Sequence, residues 1–130
     1  MGTAVTPEAA IYRFMNRFGI PAYPSSSAPD QTEREFPYIT YDLVVGTWDS
    51  GTSSMVANVW YRTESEAEPN LKVREIGRAI GLGGVTLPCD DGMLWLRRGR
   101  PWSQALVIGQ EDAMVKRRYL IIDIEYLVTG

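Results

Sequence analysis

Few side chains in this sequence can do chemistry, and their placement limits what that chemistry could be. Histidine is absent, which removes Ser-His-Asp and Cys-His arrangements and the commonest general base. The carboxylates standing close together are Asp90-Asp91, Glu111-Asp112, and Asp123 with Glu125. Adjacent carboxylates can hold a hard cation through their oxygens, but the first two pairs fall in turn segments, where Asp is favoured for local backbone hydrogen bonding. Asp123 and Glu125 share one face of an extended segment and read as the solvated or subunit-facing side of an amphipathic strand. Cys89 is the one cysteine, and its neighbours Asp90 and Asp91 favour the neutral thiol, so it reads as structural. Gly81-Leu82-Gly83-Gly84 has the glycine content of a phosphate loop, yet it closes a helix instead of following a strand and opening one. The sequence therefore predicts no catalytic residue, no metal site and no cofactor.

The remaining distinctive residues suit protein contact. Arg97, Arg98 and Arg100 form one basic cluster and Lys116, Arg117 and Arg118 a second, in a chain whose net charge is −3. Segregated charge steers association toward an acidic surface and suppresses wrong registers. The competing readings are that both clusters are merely solvated, or that they touch DNA passing through a channel. Trp48, Trp102 and the apolar patch Ala105 to Ile108, with Leu106 and Ile108 at its centre, fall in segments that read as loops, where exposed apolar groups mark contact sites. The alternative is that these loops fold back over the sheet edge.

The elements that position these residues follow from periodicity. A helix is predicted from Pro7 to Phe18, with Thr6 as cap, Gly19 at the exit, and Ile11, Phe14, Met15 and Phe18 on one stripe. A short extended piece, Ile20 to Tyr23, precedes a polar loop over 24–36. Strands Pro37 to Val45 and Met55 to Arg62 form a hairpin whose tip carries Trp48. A second helix runs from Pro69 to Ile80, with Lys72, Arg74, Glu75 and Arg78 on its wet side. Strands Val85 to Pro88 and Met93 to Arg97 flank the Asp-Gly turn, an irregular loop covers 103–115, and Arg118 to Val128 is a strand long enough to run through the middle of the sheet. This order predicts an α+β fold, a mostly antiparallel sheet of four to five strands with two helices packed on one face.

A chain of 130 residues fits one domain with one core. No apolar run is long enough to span a bilayer, and the first residues lack the features of a secretory signal, so the protein is expected to stay where it is made. The single cysteine predicts a reducing compartment. The negative net charge argues against a dedicated nucleic-acid binder.

Several strings resemble a known family: Pro37-Tyr38-Ile39-Thr40-Tyr41, Val59-Trp60-Tyr61-Arg62, Leu87 through Gln104, and Lys116-Arg117-Arg118-Tyr119-Leu120-Ile121-Ile122 with Glu125-Tyr126-Leu127. From about Phe36 onward the chain resembles the small tail terminator, or tail-completion, proteins of siphophages and prophages. The resemblance implies a structural virion protein, not an enzyme. Such a subunit caps the finished tail tube as a ring, usually hexameric in similar proteins, and offers a joint to the head connector. The implied partners are copies of itself, the tail-tube protein and the head-tail connector, with DNA only transiently in the channel and no membrane. The implied location is the head-proximal end of the virion tail, after assembly in the bacterial host cytoplasm. A neck or head-completion protein of the connector is the alternative within phage assembly, and a small ligand-binding regulatory module is the alternative outside it.

Overall fold

Thr6 starts the first helix by accepting a hydrogen bond from the Ala9 N–H at 3.1 Å, and Pro7 fills the first helical position, where a missing N–H loses nothing. In this computed structural model, which describes residues 5–27, 35–42, 52–90, 92–106 and 114–128, the helix α1 spans Pro7–Met15. It ends before Phe18 because Asn16 turns its side chain back toward the chain that follows. The Asn16 amide donates to the carbonyls of Tyr12 and Ala22 and accepts from the Ala22 N–H. That clamp lays the first strand, β1 (Ala22–Pro24), against the helix end, and a short 3-10 turn over Ser25–Ser27 follows.

The remaining elements are β2 (Tyr38–Tyr41), β3 (Thr52–Arg62), α2 (Ala67–Ile80), β4 (Val85–Cys89), β5 (Gly92–Leu106) and β6 (Val115–Val128). Among the described residues the strands form one sheet of six in the order β1-β2-β3-β6-β5-β4. β1 runs parallel to β2, and every other neighbouring pair is antiparallel. The predicted α+β class stands, but the sheet is mixed and has six strands, not four to five. The additional strand is β1, which overlaps the short extended piece predicted at Ile20 to Tyr23 and is delivered to the sheet by the Asn16 clamp.

Further boundaries differ from those predicted: β3 begins at Thr52 rather than Met55, and α2 at Ala67 rather than Pro69. β5 does not stop at Arg97, and Ser103 through Leu106 pair with β6 instead of belonging to a loop. β6 begins at Val115 rather than Arg118, because Lys116 and Arg117 pair with Tyr61 and Trp60. Trp48, Asp91, Ile108 and the Glu111-Asp112 pair lie outside the described residues, as do 28–34 and 107–113 of the two predicted loops.

Strand alternation builds the core. Met55, Ala57 and Val59 of β3 stand opposite Ile122, Leu120 and Arg118 of β6, so Leu120, Ile122 and Ile124 share their face with Leu94 and Leu96 of β5. Ile11, Phe14 and Met15 of α1 and Ile76 and Ile80 of α2 close over that face in one buried cluster. Both helices therefore cover the same side of the sheet.

Candidate interaction surface

The face turned away from both helices carries the alternate residues. From β2 across to β5 it presents Tyr38 and Thr40, then Ser54, Val56, Asn58 and Trp60, then Arg117, Tyr119, Ile121, Asp123 and Glu125, then Trp95 and Arg97. Alternation divides the second basic cluster between the two sides. Arg117 lies on the open face, where its guanidinium sits 5.2 Å from the Trp60 ring centroid and donates through Nε to Asn58 Oδ1 at 2.7 Å. Lys116 and Arg118 lie on the helix side. Arg118 is buried at 6% exposure and donates to Asn70 Oδ1 and, at 2.5 Å, to Glu66 Oε2. The Glu66 carboxyl is held below its ordinary range, first by the hydrogen bond from Arg118 and then by the charges of Arg118 and Lys116.

Aromatic rings set the ends of the open face. At one end Phe36, Tyr38 and Trp60 follow one another at centroid separations of 5.2 and 6.1 Å, and Trp60 Nε1 donates to Thr40 Oγ1 at 2.9 Å. At the other, Arg97 lies 4.2 Å over the Trp95 ring and pairs with Glu125 at 3.2 Å, while Trp95 Nε1 donates to the Gly83 carbonyl. Asp123 accepts from Ser54 Oγ at 2.8 Å. Each carboxylate of the Asp123 and Glu125 pair thus has its own partner on the face.

Between these ends β5 bulges. Arg98 pairs with Ile122 and Ser103 with Leu120, so Gly99 through Trp102 lie opposite Ile121 alone. The bulge opens a groove of about 890 Å³ lined by Arg97, Arg98 and Arg100 together with Ser54, Tyr119 and Asp123. On the helix side of the same bulge, Trp102 packs its indole against Gly77 of α2. There a second groove of about 400 Å³ is lined by Arg74, Arg78, Arg98, Asn70 and Trp102. Arg98 and Trp102 line both grooves. The first basic cluster therefore does gather at one place, with Trp102 beside it, whereas Leu106 contributes backbone pairing to Arg117 farther along β5.

Arg74 and Arg78 are the members of this arrangement that sequence reasoning placed only on a wet helix face. Their i,i+4 spacing was visible. Nothing in the pattern showed that Trp102 and Arg98 would come to lie beside them.

The reactive candidates are placed as follows. Cys89 is half-buried and packs against the core at the end of β4. Asp90 donates its N–H to the Val5 carbonyl, and its own carbonyl accepts from the Tyr126 hydroxyl. Gly81-Leu82-Gly83-Gly84 ends α2 with Gly81 and Gly84 at positive φ. Among the described residues no group of three His, Cys, Asp or Glu side chains is placed to hold a metal, and no helix is long and apolar enough to cross a membrane.

No family model matches the sequence, and no curated protein matches it. Among solved structures the chain is similar to one in the virion of a native gene transfer agent particle. The two share 18% sequence identity and a TM-score of 0.65, over 93% of this chain and 94% of that one. At this identity the likeness is one of fold, and the fold extends over nearly the whole length of both chains.

Proposed function

We propose that this chain is a structural protein of a phage-type virion that caps the tail tube as a ring, ends tube polymerisation and forms the joint to the head connector. The observation that carries this reading is the fold shared with a virion component along 93% of the chain. The resemblance of the Tyr38, Trp60, Leu87 to Gln104 and Lys116 to Ile122 strings to tail terminators points the same way. Such a role asks for contact surfaces and no reacting group, in keeping with a sequence that has no histidine. The contacts are assigned to the open sheet face and the bulge beside it: Arg97, Arg98, Arg100, Trp102 and Arg117. Lys116 and Arg118 act from within by fixing Glu66 at the start of α2. Trp48 and Ile108, outside the described residues, remain assigned to the same contacts on their apolar character.

The test is to add the purified chain to polymerising tail-tube protein. Rings at tube ends, with tube growth arrested at stoichiometric addition, are the expected outcome in negative-stain micrographs. Uninterrupted growth with no bound subunit would remove the reading. Binding to the connector without binding to the tube would shift the assignment to a neck or head-completion protein.

A further inference from the structure

The groove between α2 and the β5 bulge concentrates positive charge that no ion pair among the described residues neutralises. Arg74 and Arg78 are exposed on successive turns of α2, and Arg98 reaches the same groove from β5 beside Trp102. No carboxylate lines this groove, and none of Arg74, Arg78, Arg98 or Arg100 forms an ion pair among the described residues. Guanidinium groups gathered around an aromatic floor are suited to carboxylates, which they grip through paired N–H donors while their stems lie on the ring.

Exposed acids gather at the other end of the same helix. Thr63-Glu64-Ser65-Glu66-Ala67-Glu68 carries three exposed carboxylates and no cation. Glu66 keeps its side chain 62% exposed even while holding Arg118, and Glu68 accepts from Thr63 Oγ1. Glu68 and Arg78 are separated by roughly 15 Å along the axis at the helical rise per residue. That exceeds side-chain reach, so Glu68 does not meet Arg78 within one copy.

We propose that the Arg74, Arg78 and Arg98 groove docks the acidic entry to α2, Glu64 through Glu68, of a second copy of this chain. Two different patches, one at each end of a helix, give a head-to-tail contact, and repetition of such a contact about a rotation axis closes a ring. The proposal rests on the self-assembling role argued above and names the surface that would carry it.

The experiment compares wild type, R74E/R78E, E64R/E68R and an equimolar mixture of the two variants by native mass spectrometry and sedimentation velocity. Buffers hold about 0.15 M salt, where exposed charges act over roughly 8 Å. The wild type is expected to associate. Each variant, folded by circular dichroism, is expected to lose association by about tenfold or more, because like charges then face one another. The mixture is expected to regain it, since every contact again joins acid to base. Should R74E/R78E misfold, R74Q/R78Q serves instead, with loss of association still expected. Wild-type association matched by both variants would overturn the groove while leaving self-assembly intact. Loss in each variant without recovery in the mixture would overturn the Glu64 to Glu68 pairing. Normal association of R74E/R78E with loss of duplex-DNA retention would give the groove to nucleic acid and overturn the proposal. A wild type that stays monomeric with and without tail-tube protein would remove the self-assembling role, and the proposal with it.

Discussion

A Cβ placed on Gly99 would stand 2.5 Å from Ile121 Cγ2 and 2.8 Å from the Ile121 carbonyl oxygen. The bulge that carries Arg98 and Arg100 thus depends on one missing methyl group at its point of closest approach. Gly99→Ala should lower stability by about 2 kcal/mol, the usual penalty for overpacking, because backbone and not a flexible tip must move. Thermal or urea unfolding would measure it; an unchanged midpoint would mean the bulge is not packed as described. Titration offers a second check at this scale. Burial, followed by the influence of Tyr12, pushes the Tyr41 phenol up from 10.0 to about 12, and its hydroxyl finds no hydrogen-bond partner among the described residues. A folded value above the unfolded one means stability that is whole below pH 10 and is lost as pH rises toward 12. Tyr41→Phe should therefore flatten the alkaline decline and, at neutral pH, be neutral or stabilising by about 1 kcal/mol. Glu66 works in the opposite sense. Arg118 holds its carboxyl below the ordinary 4.5, so its contribution is present above that value and vanishes as pH falls through the lowered one. The stability gap between wild type and Glu66→Gln should close on acidification, and a gap that persists to the acid limit would show that Arg118 is not its cause.

Elements were legible where one face had to be apolar. α1 and α2 announced themselves by stripes at helical spacing, and the β4 and β5 hairpin by its Asp-Gly turn. β6 showed its alternation from Leu120 onward, and it does run through the centre of the sheet. What stayed hidden was continuity through residues that normally break strands. Gly99, Arg100 and Pro101 signal a turn, yet β5 absorbs them as a bulge and resumes pairing at Ser103. The basic run Lys116-Arg117-Arg118 reads as one patch because the predicted strand starts only at its last residue, Arg118. Once the three are in β6, a period of two sends Arg117 to the open face and the others inward, a separation that charge alone does not announce. Trp102 looked like an exposed loop residue, and only the tertiary approach of Gly77 shows where its ring goes. The cost of disturbing the central element is correspondingly large. Ile122 is fully buried between β3 and β5, and Ile122→Ala should destabilise by about 3 to 4 kcal/mol through lost contacts and the cavity left behind. A loss below about 1 kcal/mol in chemical denaturation would mean that the core collapses to fill the site.

The molecule as a whole is held together by pairings distant in sequence. β3 meets β6 along its entire length, from Thr52 with Glu125 to Arg62 with Val115, and β6 in turn carries β5. Remove β6 and the sheet separates into β1-β2-β3 on one side and β5-β4 on the other. No local unfolding event can free β6 without breaking both halves of the core, whereas β1 and β4 are edge strands that each have a single strand neighbour. Amide hydrogens in the middle of β6, at Leu120, Ile122 and Ile124, should accordingly exchange only through global unfolding, and those of β1 and β4 through smaller openings of lower free energy. Native-state exchange across a denaturant series distinguishes the two: the β6 amides should share the slope and intercept of global unfolding, with the edge strands merging into them only at higher denaturant. If β6 exchanged as early as β1, the two sides of the sheet would be independently stable. A contact surface of the kind proposed for the open face needs the first behaviour, because one that frays would give up in ordering entropy what its arginines and aromatic rings gain on docking.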